Sequence, residues 1–182
     1  GEGWYRKNLE IPAGFAGKTI YLLFDGVMAF PQVFINGQLA GKWDYGYNSF
    51  YLDVTKLVQP GGENLLAVYA DTRNHDSRWY PGAGIYRKVQ LIAVNPVHVD
   101  IWGTYITTPV IKPHMATVQI ETSVRNNNSV EKQVVVKQTI FNKKGYKVGE
   151  TSETIAISAT GNNQSNSVIT LLNPERWEPG NP

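Results

Sequence analysis

The sequence contains no cysteine, no basic run and no long apolar stretch. Without cysteine it has neither a disulfide framework nor a thiolate metal site, a composition that fits a reducing compartment as well as an exported bacterial protein. The cytoplasm, the periplasm and the extracellular space therefore stay open. The net charge of +2 comes from 17 Lys and Arg against 15 Asp and Glu, and no basic stripe or apolar run of about 18 residues occurs. We expect neither nucleic acid nor a membrane as a partner.

Helical periodicity is also absent, and strand patterns take its place. The apolar segments are short and alternate with period two, which is typical of half-buried strands. Asn36-Gly37 lies between two such segments, and it favours the type I′ turn of an antiparallel hairpin because both residues accept positive φ. Strands are predicted at Arg6–Ile11, Thr19–Phe24, Gln32–Ile35, Phe50–Leu52, Asn64–Tyr69 and Tyr86–Ala93. The chain is therefore predicted to be all-β.

The composition changes near Asn95-Pro96, where aromatic residues become fewer and Thr, Val, Asn and Ser dominate. We predict a first β domain over residues 1–95 and a second over residues 96–175. The second has the length and the strand pattern of an immunoglobulin-like β-sandwich, without that fold's cysteine pair and central tryptophan. Its predicted strands are Ala116–Val124, Lys132–Phe141, Thr151–Ile157 and Ser167–Leu171, with turns at Asn126–Asn128 and Gly161–Asn163.

The last residues are rich in proline, and we interpret 176–182 as a linker. A sandwich that ends before it is expected to lack its last strand, which leaves an unpaired edge that something else has to cover. Such an edge allows homo-oligomerisation. An assembly module that recruits partners through exposed edges is accordingly one hypothesis for the function.

The stretch from Arg78 to Arg87 is the most informative part of the sequence. It places aromatic residues, a proline and two glycines between predicted strands. Pro81 fixes its own φ, the glycines adopt backbone angles closed to other residues, and Trp79 and Tyr80 offer flat apolar faces with polar tips. A loop of this composition is typical of a segment that holds a ligand or contacts a neighbouring domain.

Several motifs follow one another in the order and spacing of a known family. They are Gly3–Lys7, Ile11-Pro12, Phe24–Met28, Val33–Gly37, Gly46-Tyr47 with Phe50, Asp53–Thr55, Gly62–Asn64 and the Arg78–Arg87 stretch. Over nearly all of residues 1–95 the chain resembles the non-catalytic N-terminal region of glycoside hydrolase family 2, which includes β-galactosidases, β-glucuronidases and β-mannosidases. Beyond residue 95 the resemblance rests on position and on Asn173-Pro174 with Trp177.

The resemblance implies a jelly-roll sugar-binding domain, then an immunoglobulin-like sandwich, then a (β/α)₈ catalytic barrel absent from this chain. It also implies that both ends of the chain are truncated and that 176–182 leads toward the barrel. Retaining glycosidases use two carboxyl groups, and the family takes both from the barrel. The full-length parent is expected to be a β-galactosidase-like hydrolase without a cofactor. This chain holds no catalytic residue and is expected to be inactive alone.

The resemblance further implies residues that bind the substrate. In related β-galactosidases an aspartate preceding the corresponding tryptophan helps to bind galactose, although the spacing there differs by about one residue. We therefore expect Asp76, Arg78 and Trp79 to contact the sugar. Carboxylate and guanidinium groups make charge-assisted hydrogen bonds to hydroxyls, and an indole face packs on a pyranose. We expect a galactoside and not a glucuronide or a mannoside, on the basis of the residue composition of the Arg78–Arg87 loop.

Other interpretations of these residues stay open. Asp71 and Asp76 are the only acidic pair near the loop, but their placement fixes no mutual geometry for a catalytic dyad. Arg78 and Arg87 are alternatively structural, pairing with Asp25, Asp71 or a carboxylate of the barrel. No metal site is predicted, because the histidines are too scattered to share a ligand set. They are His75, His98 and His114.

A second function is a stand-alone carbohydrate-binding module with an immunoglobulin-like spacer. Aromatic faces serve such modules as sugar platforms, and Trp4, Tyr5 and Trp43 supply them here. Because Trp4 and Tyr5 begin an alternating strand, we expect them to pack in the core. Trp43 is then the residue more open to binding.

Overall fold

The computed structural model describes residues 1–73, 82–177 and 179–180. These residues form strands and one short 3₁₀ helix at Ala13–Phe15. By their internal contacts they fall into two compact units, Gly1–Asn95 and Pro96–Pro182. In the described ranges no helix is long and apolar enough to cross a membrane. The prediction of an all-β fold, with a jelly-roll sandwich followed by an immunoglobulin-like sandwich, is confirmed.

The first unit is built from two main antiparallel sheets and one small one. The four-stranded sheet has the order β1 (Glu2–Glu10), β7 (Glu63–Asp71), β4 (Gln32–Ile35), β5 (Gln38–Lys42). The three-stranded sheet has the order β6 (Phe50–Asp53), β2 (Thr19–Phe24), β9 (Val89–Val94). Two short strands, β3 (Val27–Met28) and β8 (Gly84–Ile85), pair with each other.

The core of the first unit follows directly from period-two alternation. In β7, Leu66 and Val68 are buried, whereas Leu65, the residue before Leu66, is exposed. Phe24 and Phe50 come from paired strands and stack with ring centroids 4.8 Å apart. Fully burying one such side chain is worth about 1.5–3 kcal/mol, so the buried positions of β7 fix which of its faces turns inward. All six residues of β2 are buried, so both of its faces are covered.

The predicted hairpin at Asn36-Gly37 is confirmed. Both residues have positive φ, 51° and 79°, and Ile35 pairs with Gln38 across the turn. Asn36 does more than turn the chain. Its Oδ1 accepts a hydrogen bond from the N–H of Leu65 at 2.8 Å, and its Nδ2 donates to Asn64 Oδ1 at 3.1 Å. This side chain therefore ties the hairpin to the start of β7.

The expectation that Trp4 and Tyr5 pack in the core is wrong. They are 50% and 43% exposed, because β1 lies at the end of its sheet and pairs only with β7 among the described residues. Trp4 instead packs on the outer surface of the sheet. Its ring lies 5.1 Å from that of Tyr69 and 5.7 Å from that of Phe34.

The second unit also contains two sheets. A three-stranded sheet has the order β10 (Val97–Lys112), β11 (Met115–Asn126), β14 (Asn162–Leu172), and β12 (Lys132–Phe141) pairs with β13 (Lys147–Ile157). The turn predicted at Gly161–Asn163 is displaced. Asn162 already pairs with Arg125 in the sheet, and the chain reverses just before it, where Thr160 has a φ of 50°.

A buried amide connects the turns of the second unit. Asn126 is completely buried, and its Nδ2 donates to the carbonyls of Val130, Ile157 and Ser158 at 2.9, 3.1 and 3.1 Å. Its Oδ1 accepts a hydrogen bond from the backbone N–H of Asn128 at 3.0 Å. Since a buried polar group is tolerated only when it is satisfied, Asn126 fixes the geometry of this end of the sandwich.

Candidate functional site

Four polar side chains meet where β1 begins and β7 ends, immediately before segment 74–81. Glu2 is the cross-strand partner of Asp71, and cross-strand partners share a face of the sheet. Tyr69 lies two residues before Asp71 and so shares that face. Arg73, two residues after Asp71, reaches back to the group. We call Glu2, Tyr69, Asp71 and Arg73 the polar anchor.

The geometry of the polar anchor is bidentate at its centre. Arg73 donates from Nη2 to Asp71 Oδ2 at 2.7 Å and from Nε to Oδ1 at 3.0 Å, and its backbone N–H donates to Oδ1 at 2.9 Å. The same Nη2 lies 3.2 Å from Glu2 Oε2. The Tyr69 hydroxyl donates to Glu2 Oε2 at 2.6 Å and lies 3.1 Å from Asp71 Oδ2. Every member is thus tied to at least two others.

Proton affinities within the polar anchor are shifted in opposite directions. Hydrogen bonds from the side chain and backbone of Arg73 hold the pKa of Asp71 well below its usual range. The hydrogen bond to Glu2 and partial burial raise the pKa of Tyr69 to about 12. Asp71 is therefore ionised and paired at neutral pH. A general acid needs the reverse, a carboxyl with a raised pKa, so Asp71 is unsuited to that role. Both of its oxygens, which a nucleophile would need free, are bonded to Arg73.

The backbone at the entry to segment 74–81 is also fixed. The N–H of Asp71 donates to the carbonyl of Ala29 at 2.9 Å, and the N–H of Thr72 donates to the carbonyl of Gly1 at 2.8 Å. At the exit, Gly84 pairs with Met28, the residue before Ala29. Entry and exit therefore flank the same dipeptide and line one cavity of about 270 Å³.

Glycine is required at the exit. Gly84 has a φ of +86°, in the left-handed region that side chains disfavour, and a Cβ there would collide with the hydroxyl of Tyr5. The next aromatic residue, Tyr86, donates its hydroxyl to the carbonyl of Gly46 at 2.8 Å. Both flanks of segment 74–81 are consequently held by the first unit.

The predicted sugar-contacting residues Asp76, Arg78 and Trp79 lie outside the described residues, and so does His75. Their contacts stay predictions. Among the described residues Asp71 pairs with Arg73, and the structural pairing proposed for Arg78 stays a prediction. Arg87, the other proposed partner, lies over the ring of Tyr86 at 5.6 Å.

The polar anchor itself was not predicted from the sequence. A signal was present, because polar residues recur with period two at Tyr69, Asp71 and Arg73, which places them on one side of the extended chain. The fourth member, Glu2, lies 67 residues from Tyr69 along the chain, and only the strand register brings it there.

The expectation that Trp43 is open to binding is also corrected. Its ring stacks on Phe50 of β6 with centroids 5.5 Å apart and planes 10° apart, and it packs against the buried core. Its Nε1 donates to Asn48 Oδ1 at 2.8 Å. The exposed aromatic residues of this loop are instead Tyr45 and Tyr47.

Metal ligands do not gather in the part of the chain that the structure describes. No group of three or more His, Asp or Glu side chains there is suited to hold an ion. Of the histidines in the second unit, His114 places Nδ1 3.2 Å from Asn173 Oδ1, which makes it a link between the start of β11 and the residue after β14.

Family models account for both units. Residues 1–95 match the model described as the sugar binding domain of glycosyl hydrolases family 2, and residues 97–182 match a second model of the same family. The chain belongs to glycosyl hydrolase family 2. The motif resemblance is thereby confirmed.

Relatives from family 2 carry more than one activity in their names. The chain is 36% identical to a β-galactosidase, BoGH2A of Bacteroides ovatus, over 98% of its own length and 21% of that protein. It is 27% identical to a β-glucuronidase of Formosa agariphila over 97% of its own length and 20% of that protein. The chain thus spans about a fifth of the curated relatives it matches.

A solved family 2 structure carries the same fold. The crystal structure of a family 2 member from Bacteroides cellulosilyticus superposes on the whole chain with a TM-score of 0.94 at 33% identity, and the match covers 25% of that protein. The relatives are glycoside hydrolases. Their names specify galactosidase activity for some and glucuronidase activity for others.

Proposed function

We propose that this chain is the non-catalytic N-terminal part of a family 2 glycosidase, and that segment 74–81 binds the terminal sugar of the substrate. The parent would be a β-galactosidase that acts by the retaining mechanism. The observation that carries the proposal is the polar anchor, because it fixes the backbone directly before the segment on which Asp76, Arg78 and Trp79 lie.

The chemistry of the segment suits a pyranose ring. The Asp76 carboxylate accepts hydrogen bonds from sugar hydroxyls, the Arg78 guanidinium donates them, and the Trp79 ring packs on the apolar face of the pyranose. Fixing both flanks before the ligand arrives reduces the conformational entropy lost on binding. The polar anchor would thereby contribute to affinity without touching the sugar.

Catalysis would belong to the rest of the parent. A retaining glycosidase needs two carboxyl groups about 5–5.5 Å apart, one of them protonated. Asp71, the nearest described acid to the segment, is ionised and committed to Arg73. We therefore expect the isolated chain to leave 4-nitrophenyl β-galactoside intact. Turnover by the purified chain that is lost in Asp71→Asn or Asp76→Asn would overturn this part of the proposal.

The decisive experiment reads the coding sequence of the parent beyond residue 182. A barrel with two glutamates at the ends of its strands would support the proposal. A stop codon directly after residue 182 would contradict it and favour a stand-alone carbohydrate-binding module.

Kinetics of the parent then separate the sugars and the roles. With 4-nitrophenyl β-galactoside and β-glucuronide as substrates, we expect the galactoside to be preferred. Asp76→Asn and Trp79→Ala should raise KM about tenfold or more. The control is Glu63→Gln, an exposed acid at the start of β7, outside both the segment and the loop between β5 and β6. A preference for the glucuronide would contradict the sugar assignment while leaving the positional role intact.

A further inference from the structure

Two tyrosines in the loop between β5 and β6 are exposed and touch each other. Tyr45 is 59% exposed and Tyr47 is 54% exposed. Their ring centroids lie 5.7 Å apart with planes inclined at 62°, a tilted geometry that aromatic pairs favour. Single exposed aromatic residues are ordinary on protein surfaces. A contacting pair on one short loop forms a continuous surface that the core packing does not require.

The residue between the tyrosines is held against the core. A Cβ on Gly46 would lie 2.5 Å from the Sδ atom of Met28, which is fully buried. The carbonyl of Gly46 accepts the hydrogen bond from Tyr86. Because the middle residue of the tripeptide packs inward, its two neighbours turn outward.

Both ends of this loop are fixed as well. The N–H of Trp43 donates to the carbonyl of Pro31 at 3.1 Å, and its indole is bonded to Asn48. Ser49 Oγ donates to the carbonyl of Asp25 at 3.3 Å. The tyrosine rings are thus presented by an ordered backbone, and tyrosine loses little entropy on binding because it has only two χ angles.

We propose that Tyr45 and Tyr47 form a binding platform for the pyranose ring of a β-glycoside, separate from the segment 74–81. The inference rests on the proposed function, since that places a glycan on the first unit. The apolar face of a pyranose packs on an aromatic ring, and the tyrosine hydroxyls exchange hydrogen bonds with the sugar hydroxyls.

The surroundings of the platform favour a sugar over a protein partner. Lys42, Asp44 and Asn48, all exposed, are close neighbours of the tyrosines along the chain. The centres of protein interfaces are depleted of Lys and Asp, whereas a sugar hydroxyl finds a good acceptor in a carboxylate such as that of Asp44.

The platform is mechanically connected to the exit of segment 74–81. Met28 packs on Gly46 and pairs with Gly84, and Tyr86 bonds to Gly46. The loop that carries the platform and the exit flank of the segment are therefore held by shared contacts at Met28 and Gly46.

The test is a titration of the chain labelled with ¹³C in its tyrosine rings. Methyl β-D-galactopyranoside and methyl β-D-glucuronide are each added to millimolar concentration, and the ring signals are followed by NMR. We expect the signals of Tyr45 and Tyr47 to shift with saturation for at least one glycoside. The matched control is Tyr146 of the second unit, which is 68% exposed and should not shift.

Variants assign the effect to stacking. Tyr45→Ala and Tyr47→Ala should each weaken binding about tenfold, the fold-change of one lost aromatic contact, whereas Tyr45→Phe should retain most of it. Backbone amide spectra establish that each variant is folded. Absence of any shift at Tyr45 and Tyr47, or an equal shift at Tyr146, overturns the proposal.

The same titration separates this proposal from the proposed function. Trp79→Ala should leave the tyrosine shifts unchanged, because the platform does not include segment 74–81. Shifts that disappear in Trp79→Ala overturn a separate site and assign the sugar to the segment. A parent without glycosidase activity would contradict the proposed function while leaving tyrosine shifts in this chain unaffected.

Discussion

Arg73 holds the carboxylate of Asp71 from two directions. The guanidinium grips both oxygens, at 2.7 Å to Oδ2 and 3.0 Å to Oδ1, while the backbone N–H of the same residue reaches Oδ1 at 2.9 Å. A residue that bonds to its neighbour through both side chain and main chain cannot rotate away without breaking several contacts. The direction in which the chain leaves β7 is therefore set by this pair.

Acid should weaken the first unit through Asp71. Its pKa is depressed below the ordinary 3.8, so the unfolded state binds the proton more readily than the folded state. The stabilisation is fully present above the unfolded pKa and is lost as the pH falls below it. We expect the free energy of unfolding, measured by urea denaturation, to fall more steeply below pH 4 in the wild type than in Asp71→Asn. Equal slopes in the two proteins would contradict the strength assigned to the pair.

Titration to high pH should detect the raised pKa of Tyr69. Its pKa is raised from 10.0 to about 12, because the hydrogen bond to Glu2 favours the protonated hydroxyl. That stabilisation is complete below the unfolded pKa and disappears as the pH rises through the folded pKa. Spectrophotometric titration of tyrosinate should show a late component from Tyr69 near pH 12. Glu2→Gln should move it to lower pH, and Glu10→Gln, at the other end of β1, should not.

The positions of the strands were predictable from the sequence. The contacts between side chains of different strands were not. The bounds of β12 agree with the sequence prediction of Lys132–Phe141, because residues with high strand propensity, such as Val134–Val136, lie there between two turns. Trp4 was misassigned, since alternation identifies a face of a strand but not whether the strand ends its sheet. Trp43 was misassigned because its partner Phe50 belongs to another strand.

The hydrogen bonds of the Asn36 side chain should stabilise the first unit in addition to the stabilisation that the turn itself provides. Asn36→Ala puts alanine, whose side chain makes no hydrogen bond, at a φ of 51°. It removes the acceptor of the Leu65 N–H. It also deprives buried Asn64 of a donor. We expect a loss of about 2–3 kcal/mol in the free energy of unfolding of the first unit.

The matched control for Asn36 is Asn8→Ala in exposed β1, expected within about 0.5 kcal/mol of the wild type. Urea denaturation followed by near-ultraviolet circular dichroism measures both. A similar loss in the two variants would mean that Asn36 contributes only as a turn former.

Asn126 should be as critical for the second unit. Asn126→Ala leaves the carbonyls of Val130, Ile157 and Ser158 without their common donor. Of these residues Ile157 is buried, and an unsatisfied buried group costs about 1–3 kcal/mol. We expect the second unit to lose about 1–3 kcal/mol in its free energy of unfolding. Asn166→Ala, on the exposed face of β14, is the control. Hydrogen exchange of β11 amides reports the loss, and unchanged protection would contradict the role.

The edge of β12 should govern self-association. Among the described residues β12 pairs only with β13, and Val135 in its middle is 67% exposed. An unpaired strand edge with an apolar side chain is a template for pairing with another chain, and lysine opposes such pairing by charge repulsion and hydration. Sedimentation should detect concentration-dependent association that Val135→Lys reduces. Val130→Lys places the same charge at a valine that is 55% exposed but outside the strand, so an equal reduction there would attribute the effect to net charge and not to the edge.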